Sequence, residues 1–172
     1  MGEKEMAEKE FDKKVAAMLT GDKAAFTDVY NEIKKPVFTV IYRVVSDRDK
    51  AEDVMQDLFL RLLRNGVNSP VKNPRAYIFQ MAHNMALDEV KKKESEELSD
   101  EMTDGTDVFD ISCVRLDIES ALARLPLFER ETVSLHLTAG LKFREIAKMK
   151  RVPLGTVLSR YNSAIKKLRR ML

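Results

Sequence analysis

The sequence predicts an all-α protein: two small helical domains joined by an acidic linker, the C-terminal one carrying a helix-turn-helix. Three observations lead there. Apolar residues recur at i, i+3, i+4 and i+7 in the segments between turn signals. Residues 94–110, ESEELSDEMTDGTDVFD, hold eight acids and no Lys or Arg, too polar to fold alone. Residues 140–172, GLKFREIAKMKRVPLGTVLSRYNSAIKKLRRML, hold ten Lys/Arg against one acid, Glu145. The expected boundaries are 1–94 for the first domain, 95–113 for the linker and 114–172 for the second domain.

A first helix is expected from about Glu5 to Leu19, with Phe11, Val15, Met18 and Leu19 inward. Thr20-Gly21-Asp22 breaks it, and Asp22 is a good N-cap for the next helix. That helix runs from Lys23 towards Val45, interrupted or kinked at Pro36. Its core residues are Phe26, Val29, Tyr30, Ile33, Val37, Val40, Ile41 and Val44.

In the third helix, Asp49 to Arg64, the residues Ala51, Val54, Met55, Leu58, Phe59, Leu62 and Leu63 form a stripe wide enough to bury one face. The other face presents Asp53, Gln56, Asp57, Arg61 and Arg64, with Leu60 among them. A leucine that the core stripe cannot use, ringed by carboxylates and an amide, marks a contact surface for another protein. A scattered exposed leucine is the bland alternative. Asn65 to Pro74, NGVNSPVKNP, is a shaped loop.

Asn73 or Pro74 opens a fourth helix to about Lys93. Ile78, Met81, Ala82, Met85 and Val90 face inward; Gln80, His83, Asn84 and Lys91 line the other side, with Tyr77 at its edge. Amides, an aromatic ring and cations suit single-stranded nucleic acid, whose bases stack on the ring while amides read their edges. His83 by itself reads as a surface or capping residue. Past the acidic segment, Val114 to Arg124 and Leu127 to about Leu137 are two more helices separated at Pro126.

Gly140 stops what precedes it, since glycine takes the left-handed conformation that ends helices. A short helix from Lys142 to Met149 and a longer one from Pro153 follow, with proline suited to the first turn. Leu154, Val157, Tyr161, Ala164, Ile165 and Leu168 form an apolar stripe. The opposite face carries Thr156, Ser159, Arg160, Ser163, Lys166, Lys167 and Arg170. Such a helix fits a major groove, short polar side chains reaching base edges and long basic ones reaching phosphates. An amphipathic hairpin with a solvated basic face is the competing reading. At the turn stands Arg151, where such motifs favour glycine, and Lys150 occupies a position where an apolar residue would help close the two helices.

The composition excludes several classes. The chain has 172 residues, 44% hydrophobic and 34% charged, with a net charge of +2 that hides strong segregation. Cys113 is the single cysteine, so no disulfide framework or thiolate metal site is expected. The charged N-terminus, MGEKEMAEKEFDKK, lacks the apolar stretch of a signal peptide, and no apolar run approaches the roughly 20 residues that span a bilayer. No membrane insertion and a reducing, cytoplasmic compartment are therefore expected. No metal-binding pair, phosphate loop or catalytic triad is legible. Asp53 and Asp57 share a face that could hold a hard cation, though contact with protein or solvent is the preferred reading. The expectation is a binding protein without cofactor, metal or catalytic residue.

The blocks AEDVMQDLFLRLLRN, NPRAYIFQMAHNMALDEVKKK and ALARLPLFERETVSLHLTAGLKFREIAKMKRVPLGTVLSR, in this order around an acidic spacer, resemble an extracytoplasmic-function sigma factor. The resemblance covers nearly the whole chain. It implies a transcription initiation factor that docks on the clamp helices of the RNA polymerase β′ subunit through Asp53, Gln56, Asp57 and Leu60. It implies capture and melting of the promoter element near −10 by the 65–74 loop and the following helix, through Asn73, Arg75, Tyr77, Gln80, Asn84 and Lys91. Base flipping onto such a loop costs a few kcal/mol, offset by stacking and edge contacts.

Residues 114–172 would touch the polymerase β flap and read the element near −35, through Arg144, Thr156, Leu158, Ser159, Arg160, Ser163, Lys166 and Lys167. The family usually has Lys or Arg at the place of Leu158, often a further cation at Ser163, and glycine at Arg151. Lying over a base, Leu158 would meet a thymine methyl and could not bond guanine. An anti-sigma protein is a further implied partner. A helix-turn-helix regulator acting without polymerase and a degenerate sigma-like interaction module are the alternatives. The acidic segment could also pair with the basic 140–172 face, or serve only as a solvated spacer.

Overall fold

A computed structural model describes residues 3–65, 71–97 and 113–172, and the elements among them are all helical. These are α1 (Glu3–Leu19), α2 (Lys23–Val45), α3 (Arg48–Asn65), α4 (Pro74–Glu97), α5 (Cys113–Ala123), α6 (Leu127–Val133) with a π-helical turn (Ser134–Thr138), α7 (Phe143–Lys150) and α8 (Leu154–Met171). The expectations for the tip of the 65–74 loop, for the acidic segment beyond residue 97 and for the Cys113 side chain lie outside what is described.

Local chemistry sets the ends. Asp22 accepts from the backbone N–H groups of Ala24 (2.9 Å) and Ala25 (3.0 Å) at the start of α2. Ser46 closes that helix in left-handed geometry, and Asp47 accepts from Lys50 N–H at 3.0 Å to start α3. Asn73 accepts from Ala76 N–H at 2.9 Å and caps α4. Of the interruption or kink expected at Pro36, the interruption does not occur: α2 continues through it. Proline removes one ladder bond, and burial of Ile33, Val37, Val40 and Ile41 on both sides of it holds the helix together.

α2 is central, packed on α1, α3 and α4 and touching α6 and the π turn. The main apolar interior includes Phe11, Val29, Ile41, Leu58, Leu62, Ile78 and Phe79, and continues into Leu135, Leu141, Ile146 and Val157. It therefore runs past the expected boundary between the domains. A second small cluster joins Leu122, Leu125, Val133 and Ala164 between α5, α6 and α8. Leu63, expected inward, is 50% exposed, because it sits at the edge of the α3 stripe where no helix covers it.

Polar contacts tie the two halves. Buried Glu131 on α6 stands 2.9 Å from His83 Nε2 of α4 and accepts from Lys150 Nζ at the end of α7. Lys150 Nζ is also 3.0 Å from His83 Nε2. His83 is thus a core residue, 2% exposed, and not the surface residue expected. Lys150, out of place as a spacer between two helices, answers a buried carboxylate. From α2, Arg43 donates to Ser134 (2.9 Å), Thr138 (3.0 Å) and Glu119 (2.8 Å). The π turn, closed by Ala139 N–H to Ser134 O at 3.1 Å, aims both hydroxyls at one guanidinium nitrogen.

Gly140 takes φ +72, and a Cβ there would stand 3.6 Å from the Arg75 guanidinium. Arg75 donates to Ala139 O at 2.7 Å and lies over the Phe11 ring. Asn73 donates to Glu145 at 2.6 Å, while the same carboxylate accepts from Lys142 N–H at 2.8 Å and caps α7. Among the described residues no helix is long and apolar enough to cross a membrane.

Two tests follow from this packing. Burial alone would raise the Glu131 carboxyl, but hydrogen bonds with His83 and Lys150 and the Lys150 charge outweigh it and hold it below its ordinary 4.5. A depressed carboxyl contributes stability that is complete above its unfolded value and is lost as pH falls through the folded one. Urea melts should show Glu131→Leu less stable than the parent by about 3–5 kcal/mol at pH 7, because Lys150 keeps a buried charge without its partner. That difference should shrink on acidification below 4.5; a constant difference down to the acid limit would exclude the ion pair as its source. Arg151 closes α7 at φ 52, in left-handed geometry. Arg151→Gly should therefore raise stability by about 1 kcal/mol, seen as a higher thermal midpoint.

Candidate protein and nucleic-acid interfaces

On α3, Ala51, Val54, Leu58, Phe59 and Leu62 are buried, which turns Asp53, Gln56, Asp57 and Leu60 outward. All four are exposed, Leu60 by 44%. Leu63 extends the apolar part of this surface by one turn, and Arg61 and Arg64 flank it. Sequence reasoning missed Leu63 because it counted it in the core stripe; its position next to Gln56 on the helical wheel was the available signal. The result is two leucines in a charged frame, the composition of a protein contact.

α4 buries Ile78, Phe79, Ala82, His83 and Ala86. Gln80, Asn84 and Lys91 form an exposed row with half-buried Tyr77 at one end. The row also contains exposed Asp88, which the expected cationic face did not include. Asn73 and Arg75 do not join it. Both side chains are engaged with the C-terminal half, Asn73 on Glu145 and Arg75 on Ala139 O.

α7 and α8, where the helix-turn-helix is expected, are joined by a turn at Arg151. Ile146 and Ala147 pack inward from α7, and Arg144 is exposed. α8 buries Val157 and Ala164, with Tyr161 and Leu168 half-buried. Leu154, expected in the stripe, is 36% exposed at its edge. Tyr161 stacks edge-on against Phe143 (5.0 Å) and His136 (5.2 Å), and His136 Nδ1–H donates to Leu141 O at 2.8 Å.

The eight expected residues of the −35 surface divide in two. Arg144, Leu158, Ser159 and Lys166 are exposed, and Thr156 is half-buried. The other three turn towards α6. Ser163 donates to Glu129 at 2.8 Å, Lys167 donates to the same carboxylate at 2.8 Å, and Arg160 lies 4.8 Å over the Phe128 ring. The sequence showed an amphipathic helix, but not that α6 would cover one flank of its polar face.

The surfaces can be set beside known proteins. A family model described as Sigma-70 region 2 matches residues 29–96. The ECF RNA polymerase sigma factor SigK of Mycobacterium bovis (strain BCG / Pasteur 1173P2) is 26% identical over 163 residues, covering 88% of this chain and 87% of that protein. The ECF RNA polymerase sigma factor SigW of Bacillus subtilis (strain 168) is 24% identical over 178 residues, covering 93% and 95%. Among solved structures, the sigma factor RpoE of Bartonella quintana, in complex with the anti-sigma factor NepR, superposes with a TM-score of 0.66 at 21% identity, over 84% of this chain and 96% of that one. CnrH in complex with the cytosolic domain of CnrY gives 0.66 at 20% identity, over 94% and 96%. These two likenesses are of fold.

Proposed function

The chain belongs to the extracytoplasmic-function sigma factors of bacterial RNA polymerase, and from that membership we propose how its surfaces divide the work of promoter-specific initiation. Its partners are core RNA polymerase and promoter DNA, and it acts as a regulatory subunit. The exposed α3 face of Asp53, Gln56, Asp57 and Leu60, extended by Leu63, docks on the β′ clamp helices. The observation that carries this is Leu60, 44% exposed within a polar row inside the segment that matches region 2.

Tyr77, Gln80, Asn84 and Lys91 receive the −10 element, the ring stacking on an unpaired base and the amides reading edges. Asn73 and Arg75 are each held by one N–H, on Glu145 and on Ala139 O, and their remaining N–H donors add to that surface. The helix-turn-helix reads the −35 element with Arg144, Thr156, Leu158, Ser159 and Lys166. Arg160, Ser163 and Lys167 hold α8 on α6. Residues 114–172 also meet the β flap. Domains 1–94 and 114–172, joined by the acidic linker, span the two promoter elements by separating, which opens their shared interior and the contact of His83 with Glu131.

RpoE of Bartonella quintana and CnrH are each held by another protein, an anti-sigma factor and the cytosolic domain of CnrY respectively. A protein antagonist of this kind is proposed for this chain, which then works in the cytoplasm.

The deciding experiment is run-off transcription with purified core polymerase: promoter-dependent transcripts require the added chain, and their absence overturns the reading. Within it, Leu60→Glu should weaken core binding by about 1–2 kcal/mol while leaving thermal stability within about 0.5 kcal/mol. Unchanged affinity for core in a titration would remove α3 from the docking surface.

A further inference from the structure

Asn162 is the residue of α8 whose placement gives it a use that neither the sequence pattern nor the family likeness supplies. The buried line of α8 is Val157 and Ala164, continued by half-buried Tyr161 and Leu168. Half a turn away stand Gly155, Leu158, Ser159, Asn162, Lys166 and Arg169, and all six are exposed. Compared with the polar face read from sequence, this row is rotated by about a quarter turn. The difference arises because Ser163 and Lys167 bond Glu129 of α6 and Arg160 lies over Phe128, which leaves all three half-buried. Asn162 has no such neighbour: it is exposed and without a partner among the described residues.

The chemistry along the row changes in a way that suits a major groove. Nothing stands within 4 Å of a Cβ placed on Gly155, so the first turn can come close to base edges. Next come the branched apolar Leu158, 37% exposed, the hydroxyl of Ser159 and the carboxamide of Asn162. Cations follow at Lys166 and Arg169. The N-terminal part of a recognition helix meets bases and the cationic part meets phosphates. A carboxamide matches adenine, donating to N7 and accepting from the N6 amino group, while an apolar side chain matches the thymine methyl. Residues four apart on a helix are separated by about 6 Å along its axis, close to two base-pair steps of about 3.4 Å.

We propose that Asn162 is a specificity-determining residue that reads an adenine of the upstream promoter element, with Leu158 against a thymine methyl one or two base pairs away. The proposal rests on the −35 reading above and adds to it the bases that are recognised.

The test uses holoenzyme assembled from the full chain and core polymerase, on promoters with a randomised upstream element. Wild-type protein should enrich an adenine and a nearby thymine. Replacing that adenine by 7-deazaadenine, which deletes only N7, should reduce open-complex formation about tenfold for wild type and leave Asn162→Ala unaffected. Asn162→Asp should move the preference towards cytosine, whose N4 amino group donates to a carboxylate. Deoxyuridine in place of the thymine should weaken wild type and leave Leu158→Ala unaffected. Lys166→Ala should instead weaken all sequences alike and lower the salt slope by about one.

Because Asn162 is exposed, circular dichroism melts of its variants should match the parent; a variant that unfolds would overturn the placement. An element enriched identically by wild type and Asn162→Ala overturns the proposal while the −35 reading stands. No upstream preference in wild type overturns the −35 reading itself, and this proposal with it.

Discussion

A carboxylate removed from water must be met by charge or by hydrogen bonds, and Glu131 imposes that condition on three helices at once. Its side chain is 2% exposed, and an isolated charge there would cost several kcal/mol. His83 from α4 and Lys150 from α7 meet it, at sequence separations of 48 and 19. Each partner fixes the height and rotation of its helix relative to α6. α7 is therefore set against the N-terminal helices by a polar contact with little geometric tolerance, while the surrounding apolar side chains supply non-directional attraction.

Arg43 repeats the arrangement on the other side of α6. One guanidinium nitrogen takes two hydroxyls from the π turn and the other takes Glu119 of α5. Arg43 Nε remains buried without a partner among the described residues, which offsets part of the gain. The C-terminal half thus meets the N-terminal half through Leu135, Leu141 and Ile146 in an apolar middle, with charged anchors at its margins.

How much was legible in the sequence depended on the range of the interaction. Caps act within one turn, so Asp22, Asn73 and the proline at the start of α8 could be read directly. The exposed position of Leu60 followed from a helical wheel, because the α3 stripe is wide enough to define its own opposite face. His83 could not be read in that way. Phe79, Ala86 and Leu87 lie one turn away from it and favour burial, but the acid that satisfies its ring is in another segment. Pro36 misled for a similar reason: its local cost is fixed, but packing on three neighbouring helices outweighs it.

Arg160, Ser163 and Lys167 expose the same difficulty within the candidate site. A wheel divides a helix into apolar and polar sides, yet a helix in a small domain has two neighbours and not one. α7 meets α8 on the Tyr161 side through Phe143, while α6 meets it on the flank that carries Glu129 contacts. The second contact is apolar at Val133 and Ala164 but polar at Glu129; the polar part is invisible to a hydrophobic pattern, and it narrows the solvent-facing arc of α8 while turning it. Arg160 illustrates the consequence: its guanidinium lies 4.8 Å over the Phe128 ring of α6. A basic residue on the polar face of a helix can therefore hold that helix to its neighbour, and only the neighbours reveal this.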